Sequence, residues 1–294
     1  MAGLTLQLLG LQLFTGVALG ALYVLLAVGL SLIFGMLTVV NFAHGAFYML
    51  GAYVGLWLLM HGVNFWVALA LAPLAVGGFG LAIERTLIRP LYGRGLDYPL
   101  LLTFGLSYVI VELVRIWFGN TGYPVDTPDL LQGAVNIGAG YFPLYRLFVI
   151  AATAVILLAL WLFLERTSFG LIVRAGARDP QIVRILGVNV ARVWLIVFGL
   201  GAGLAGLAGV LAAPLQGVIP EMGDPILAEA FVVTVVGGMG SLMGAVVAGL
   251  LVGVVVSMTS LFAPEMSRVA IFALMAVVLL IRPQGFFGRA GLMS

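Results

Sequence analysis

The side chains able to bind, titrate or attack in this sequence are few, and they gather in three places. Asn41 and His44 stand inside NFAHGAFYMLGAY (41–53), an otherwise apolar stretch, with Gly45 beside them. GGMGSLMG (237–244) packs Gly237, Gly238, Gly240 and Ser241 into one short run, as a phosphate-cradling loop does. TSFGLIVRAGARDPQIVRILGVNV (167–190) sets Arg174, Arg178 and Arg184 around Asp179 and Pro180. The glycine run fails as a nucleotide loop, because such a loop needs a Lys to reach the phosphates and a strand–turn–helix setting. All thirteen basic residues here are Arg. The same lack excludes Lys-based covalent chemistry. Apart from His44 the sequence holds one His, His61, and no His/Asp/Glu grouping that would support catalysis or a metal. Polar groups in apolar surroundings need partners. Asn41 and His44 therefore either hydrogen-bond across a helix interface, lie at a mouth, or border a path where a helix is interrupted.

What must position these groups is set by composition. Of the 294 residues 63% are hydrophobic and only 8% charged, with a mean hydropathy of +1.24. A soluble domain carries about 25% charged residues, so lipid must cover most of this surface. Cysteine is absent, which excludes disulfides and thiolate metal sites and leaves the redox compartment open. The start, MAGLTLQLLG, lacks a cationic leader region and is expected to be a retained first membrane segment. Apolar tracts near 12–34, 42–60, 64–84, 98–118, 145–163, 193–213 and 242–262 are long enough to span, and 226–241 and 268–282 are shorter. The expected fold is an all-α polytopic membrane protein with eight to ten transmembrane or re-entrant helices and Gly-rich broken segments. Continuous tracts of this length argue against a barrel.

The connections divide by charge. Residues 84–97 carry Arg85, Arg89 and Arg94; 164–192 carry Arg166, Arg174, Arg178, Arg184 and Arg192; the tail carries Arg282 and Arg289. Acids occupy the alternate connections, with Asp126 and Asp129, then Glu221 and Asp224, then Glu265. The positive-inside rule puts the Arg group in the cytoplasm, the C-terminus with it, and the N-terminus outside if nine tracts cross; a re-entrant segment near residue 40 would change that. A net charge of +2 spread over these borders does not suit nucleic acid. Glycine, at 40 residues, is about twice its usual share and suits close helix packing. Two glycine-interrupted stretches, 37–55 and 227–253, lie in opposite halves, as in transporters built from related halves with broken helices. Their mutual likeness is faint and leaves an internal repeat open.

Within the central Arg-rich loop, Asp179 suits a helix cap, Pro180 the first helical position and Gly187 the stop. The spacing predicts a two-turn helix over about 180–186, with Ile182, Ile185 and Leu186 on one side and Gln181 and Arg184 toward the other. So short a helix must lean on something. By spacing alone it rests on lipid headgroups or docks a cytoplasmic partner.

The loop pattern made by Thr167, Phe169, Gly170, Arg174, Ala175, Ala177, Asp179, Gly187 and Asn189 resembles that of the permease subunits of branched-chain amino acid ABC importers. NFAHGAFYMLGAY (41–53), LAGLAGVLAAP (204–214), AFVVTVVGGMGSLMGAVVAGLLVG (230–253) and RPQGFFG (282–288) extend the resemblance over nearly the whole chain. Val183, where many relatives have Ala, is a departure that bears on packing. The resemblance implies one transmembrane permease domain over 1–294 with a cytoplasmic coupling loop at about 164–192. Arg174, Asp179, Pro180, Ile182, Arg184, Leu186 and Gly187 would couple to an ATPase. Asn41, His44, Gly45, Gly237, Gly238, Gly240 and Ser241 would belong to the path or to broken helices. It further implies a companion permease, giving a heterodimer, two cytoplasmic ATPase subunits, an extracytoplasmic binding protein, and a multi-pass place in the bacterial inner membrane. This chain would hold no cofactor; ATP and Mg would sit on the ATPases. Substrates across the family include leucine, isoleucine and valine, with relatives for other amino acids, amides or urea, and two copies of one chain remain an alternative to the heterodimer.

The alternative reading is a secondary amino acid transporter with broken helices. Such proteins place ionisable coupling residues in mid-membrane, where this sequence has almost none, and need no capped docking helix. Nothing resembles a selectivity filter. Glu112 and Arg115, one turn apart, are expected to pair with each other, and Glu229 to close a local pair. Trp57, Trp66, Trp117 and Trp161 read as interface anchors.

Overall fold

A computed structural model describes residues 6–37, 40–95 and 97–288. Thr38 and Val39 of the first glycine-interrupted stretch, Leu96, and the tail residue Arg289 lie outside them. The chain is a multi-pass helical membrane protein. Its long elements are α1 (Leu6–Leu37), α2 (His44–Met60), α3 (Phe65–Ile83), α4 (Asp97–Phe118) and α5 (Leu144–Arg166). After the short α6 (Ser168–Gly176) and α7 (Pro180–Ile185) come α8 (Val190–Gln216), α9 (Gly223–Gly237), α10 (Leu242–Phe262) and α11 (Ser267–Ile281). By length and composition seven stretches of helix can cross a membrane among the described residues, while α2, at 17 residues, and α9, at 15, are shorter.

Which helices form the centre follows from their faces. α1 is apolar on every side and mostly buried, as a helix surrounded by others must be. It packs against α10, α8, α9 and α5, and α8 packs against α2 and α3. α4, α5 and α11 present most of their apolar surface outward, toward lipid. α1 and α10 run antiparallel: Gln12 Nε2 donates to Ser257 O at 2.6 Å at one end, and Gly35 meets Gly240 at the other. Small residues let these backbones touch, and a Cβ on Gly51 would collide with the backbone of Gly206 where α2 crosses α8. Trp57, Trp66, Trp117 and Trp161 are all exposed.

Two features depart from simple spans. α2 starts beside the interior of α1, because the His44 ring meets Leu26 O; the expected tract from 42 thus opens on a turn. Between α4 and α5 a small hairpin, β1 (Ala134–Asn136) with β2 (Tyr141–Pro143), pairs Val135 with Phe142. The reversal at Gly138 and Gly140, both at positive φ, allows it, and buried Phe142 anchors it.

Candidate functional site

The Arg-rich loop is built from consecutive caps. Thr167 Oγ1 accepts from Gly170 N at 3.1 Å and opens α6. Arg174 reaches back to α5, donating to Leu164 O at 2.5 Å and pairing with Glu165 at 2.7 Å. It thereby closes the last turn of α5 and fixes the angle between the two helices. Asp179 Oδ1 accepts from Gln181 N at 2.9 Å and Ile182 N at 3.0 Å, Pro180 follows, and Gly187 ends α7 with φ +84°. Asn189 then caps α8 by accepting from Arg192 N at 3.1 Å. The short helix turns one side chain inward: Val183 is 5% exposed. Ile182, Ile185 and Leu186, at 56%, 83% and 75% exposed, face away from the protein, as does Arg184.

Beside this loop lies a cluster that sequence reasoning missed. At the end of α3 the backbone passes through a π-helical stretch, Glu84–Ile88, and a 3₁₀ turn, Arg89–Leu91. Glu84 has no exposed surface. It accepts from Arg89 Nη2 at 3.0 Å and from Tyr92 Oη at 2.9 Å. Burial and the adjacent Glu84 charge push the Tyr92 phenol pKa up. Arg89 Nη2 also donates to Ala191 O at 3.1 Å, and Tyr92 stands edge-on to Trp194 at 4.9 Å. The clasp ties the end of α3 to the first turn of α8, directly after the loop that carries α7.

The intramembrane candidates separate. Asn41 and His44 are fully buried. Asn41 Oδ1 accepts from Ala43 N at 3.1 Å and shapes the turn into α2. His44 Nε2 lies 3.0 Å from Leu26 O, so that nitrogen carries the proton and donates across the α1–α2 interface. Gly45 abuts Gly223 at the start of α9. Gly237, Gly238, Gly240 and Ser241 form the turn from α9 to α10, away from the other group. Gly238 and Gly240 take φ of +98° and +79°, and Ser241 caps α10 by accepting from Gly244 N at 3.0 Å. The tail packs onto this turn, with Phe286 N donating to Val236 O at 2.8 Å and Phe287 N to Gly237 O at 3.0 Å.

At the opposite, acidic end, Arg115 pairs with Glu112 and also donates to Glu221 Oε1 at 2.5 Å. The expected local pair thus has a third member, and it ties α4 to the turn before α9. The Arg115 hydrogen bond holds the Glu221 carboxyl below the usual carboxylate range.

Comparison with known proteins places the chain. A family model described as branched-chain amino acid transport system / permease component matches residues 12–279. The high-affinity branched-chain amino acid transport system permease protein LivH of Salmonella typhimurium is 33% identical, with 95% of each chain covered. BraD of Pseudomonas aeruginosa, of the same description, is 32% identical with the same coverage. LivM of Escherichia coli, also a permease protein of such a system, is 30% identical over 90% of this chain and 67% of its own.

Proposed function

The chain belongs to the branched-chain amino acid transport system permease family, and from that premise we propose that it is the membrane-spanning permease subunit of an ATP-driven importer for branched-chain or related amino acids. It forms half of the path and hydrolyses nothing itself. A companion permease supplies the other half, as a heterodimer. Two cytoplasmic ATPases bind ATP and Mg, and an extracytoplasmic protein delivers substrate. The membrane is the bacterial inner membrane, with the Arg-rich loops and the C-terminus in the cytoplasm.

The observation that carries this reading is α7. Its backbone is capped at both ends, Val183 seats it on its own protein, and three large apolar side chains face outward on the Arg-rich side. Exposed apolar groups on a rigid, polar-rimmed element suit a protein groove. Movement of the ATPases is passed through α7 to α8, and the Glu84–Arg89 clasp carries it on to α3. Asp179, Pro180 and Gly187 set the helix ends, Ile182 and Leu186 enter the groove, and Arg184 meets acidic groups at its rim. Arg174 holds α6 to α5.

The test is ATP hydrolysis in lipid nanodiscs by this chain with its companion and two ATPases, with and without binding protein and leucine. Stimulated hydrolysis is expected in the wild type, and a fall in Asp179→Ala/Arg184→Ala while the membrane subunits stay assembled. Failure of any ATPase to bind a well-folded membrane pair removes this reading and favours a secondary transporter.

A further inference from the structure

α4 carries a stripe on its outward face that does not suit lipid. Tyr108 stands at the midpoint of the helix, about 15 Å along the axis from either end, and is 59% exposed. Its ring lies edge-on to Phe104 at 5.1 Å, and its hydroxyl has no hydrogen-bond partner among the described residues. Tyrosine belongs at the membrane borders, and a bare hydroxyl at this depth in hydrocarbon is costly. Midway along α5 and α11 the exposed large side chains are instead Val155, Leu158, Phe272 and Val277. Gly105, Tyr108, Glu112 and Arg115 follow at spacings of three and four and so share one face of α4. Gly105 leaves a hollow beside Tyr108, because a Cβ there would meet no atom within 4 Å. At the outer end of the stripe lies a cavity of about 590 Å³ lined by Glu112, Arg115, Ile116, Asn120 and Glu221, a size usual for small-molecule sites. Arg115 donates to Oε1 of both carboxylates. One guanidinium thus serves two acids, and the cavity keeps an excess negative charge. The Glu112 side chain is 57% exposed there.

We propose that this stripe lines the translocation path, with the companion permease opposite, and that Glu112 receives the α-ammonium group of an amino acid entering it, Tyr108 being the next polar contact inward. The inference rests on the permease reading above and adds to it the wall of the path and the chemistry of its entrance. Arg115 occupies one oxygen of Glu112 and leaves the other to accept an ammonium N–H in a charge-assisted bond. Tyr108 follows one turn further in, about 6 Å along the axis. Its hydroxyl both donates and accepts, so it serves either charged end of a zwitterion. Phe104 and Leu101, also exposed, continue the face with apolar surface for the side chain of the substrate.

Two measurements on the assembled complex test it. The chain has no cysteine, so Gly105→Cys and Tyr108→Cys each give it a single thiol, whose modification is read on this chain by mass. A cationic, membrane-impermeant thiosulfonate is expected to modify both at some stage of the ATP cycle, while Val155→Cys and Leu158→Cys on α5 stay unmodified. A thiol at position 108 that no stage exposes, although Asn120→Cys reacts, overturns the proposal, as does equal modification at 155 and 158. In proteoliposomes, Glu112→Gln is expected to lower binding-protein-dependent L-leucine uptake about tenfold, with Glu112→Asp recovering part of it and the binding protein docking as before. Wild-type uptake by Glu112→Gln overturns the entry role. So does a matching loss of affinity for the binding protein, which would assign the carboxylate to a cationic side chain of that protein. These outcomes leave the permease reading standing; a wild-type complex that neither hydrolyses ATP nor carries leucine removes both.

Discussion

Glu84 keeps a carboxylate in a site with no exposed surface because Arg89 and Tyr92 both donate to it. Removing it strands those donors. Glu84→Ala should therefore cost about 3 kcal/mol of stability, the lower end of the range for a broken buried pair since Arg89 is 32% exposed. Tyr92→Phe should cost about 1 kcal/mol. Thermal unfolding in detergent reads both. At the acidic end the sign of a pH effect follows from Glu221, whose folded pKa is depressed by Arg115. Its contribution is present above the unfolded carboxyl pKa and is lost as pH falls through the folded one. The difference in melting temperature between wild type and Glu221→Gln should be seen at neutral pH and shrink to nothing in acid; a difference that grows in acid contradicts the tie. Sequence spacing revealed Asp179 and Gly187, whose roles are local, but hid Glu84. Glu84 and Arg89 are five apart, a spacing that does not meet on an α-helix, and only the π-helical turn brings them together.

Among the elements, α7 shows why short helices need both caps and a seat. Asp179→Ala removes two accepted bonds, at about 1 kcal/mol, which is large for six residues that cannot hold a helix alone. Ile185→Glu probes the other half of the design. It leaves the caps and Val183 untouched, so the membrane pair should assemble and unfold as the wild type does while stimulated ATP hydrolysis falls about tenfold or more. The crossing of α2 and α8 is a different kind of constraint. Gly51→Val puts bulk where two backbones touch, and a loss of about 2 kcal/mol or more is expected, seen as lowered yield of folded protein. Periodicity and length located the long helices to within a few residues, since long apolar tracts in lipid have little choice but helix. The β1–β2 hairpin and the late start of α2 were not legible, because both depend on what the chain meets. Phe142 needs a pocket, and the turn shaped by Asn41 needs the interior of α1 beside it.

At the scale of the whole molecule, charge and apolarity divide the surface by function. Arg-rich loops and α7 occupy one end, the hairpin and the Glu112–Arg115–Glu221 group the other, and lipid-facing helices stand between. α1 and α8 run through the centre and connect those ends, so a push on α7 has a stiff route through α8 and, by the clasp, into α3. The central claim is that α7 enters an ATPase subunit. It is tested most directly by placing a photo-crosslinking amino acid at position 185 in the assembled complex and identifying by mass what is attached to this chain after illumination. The account predicts one main adduct, with an ATPase subunit, which weakens when Asp179 is changed to Ala. Adducts to lipid alone, in a complex whose membrane subunits are intact, would contradict it.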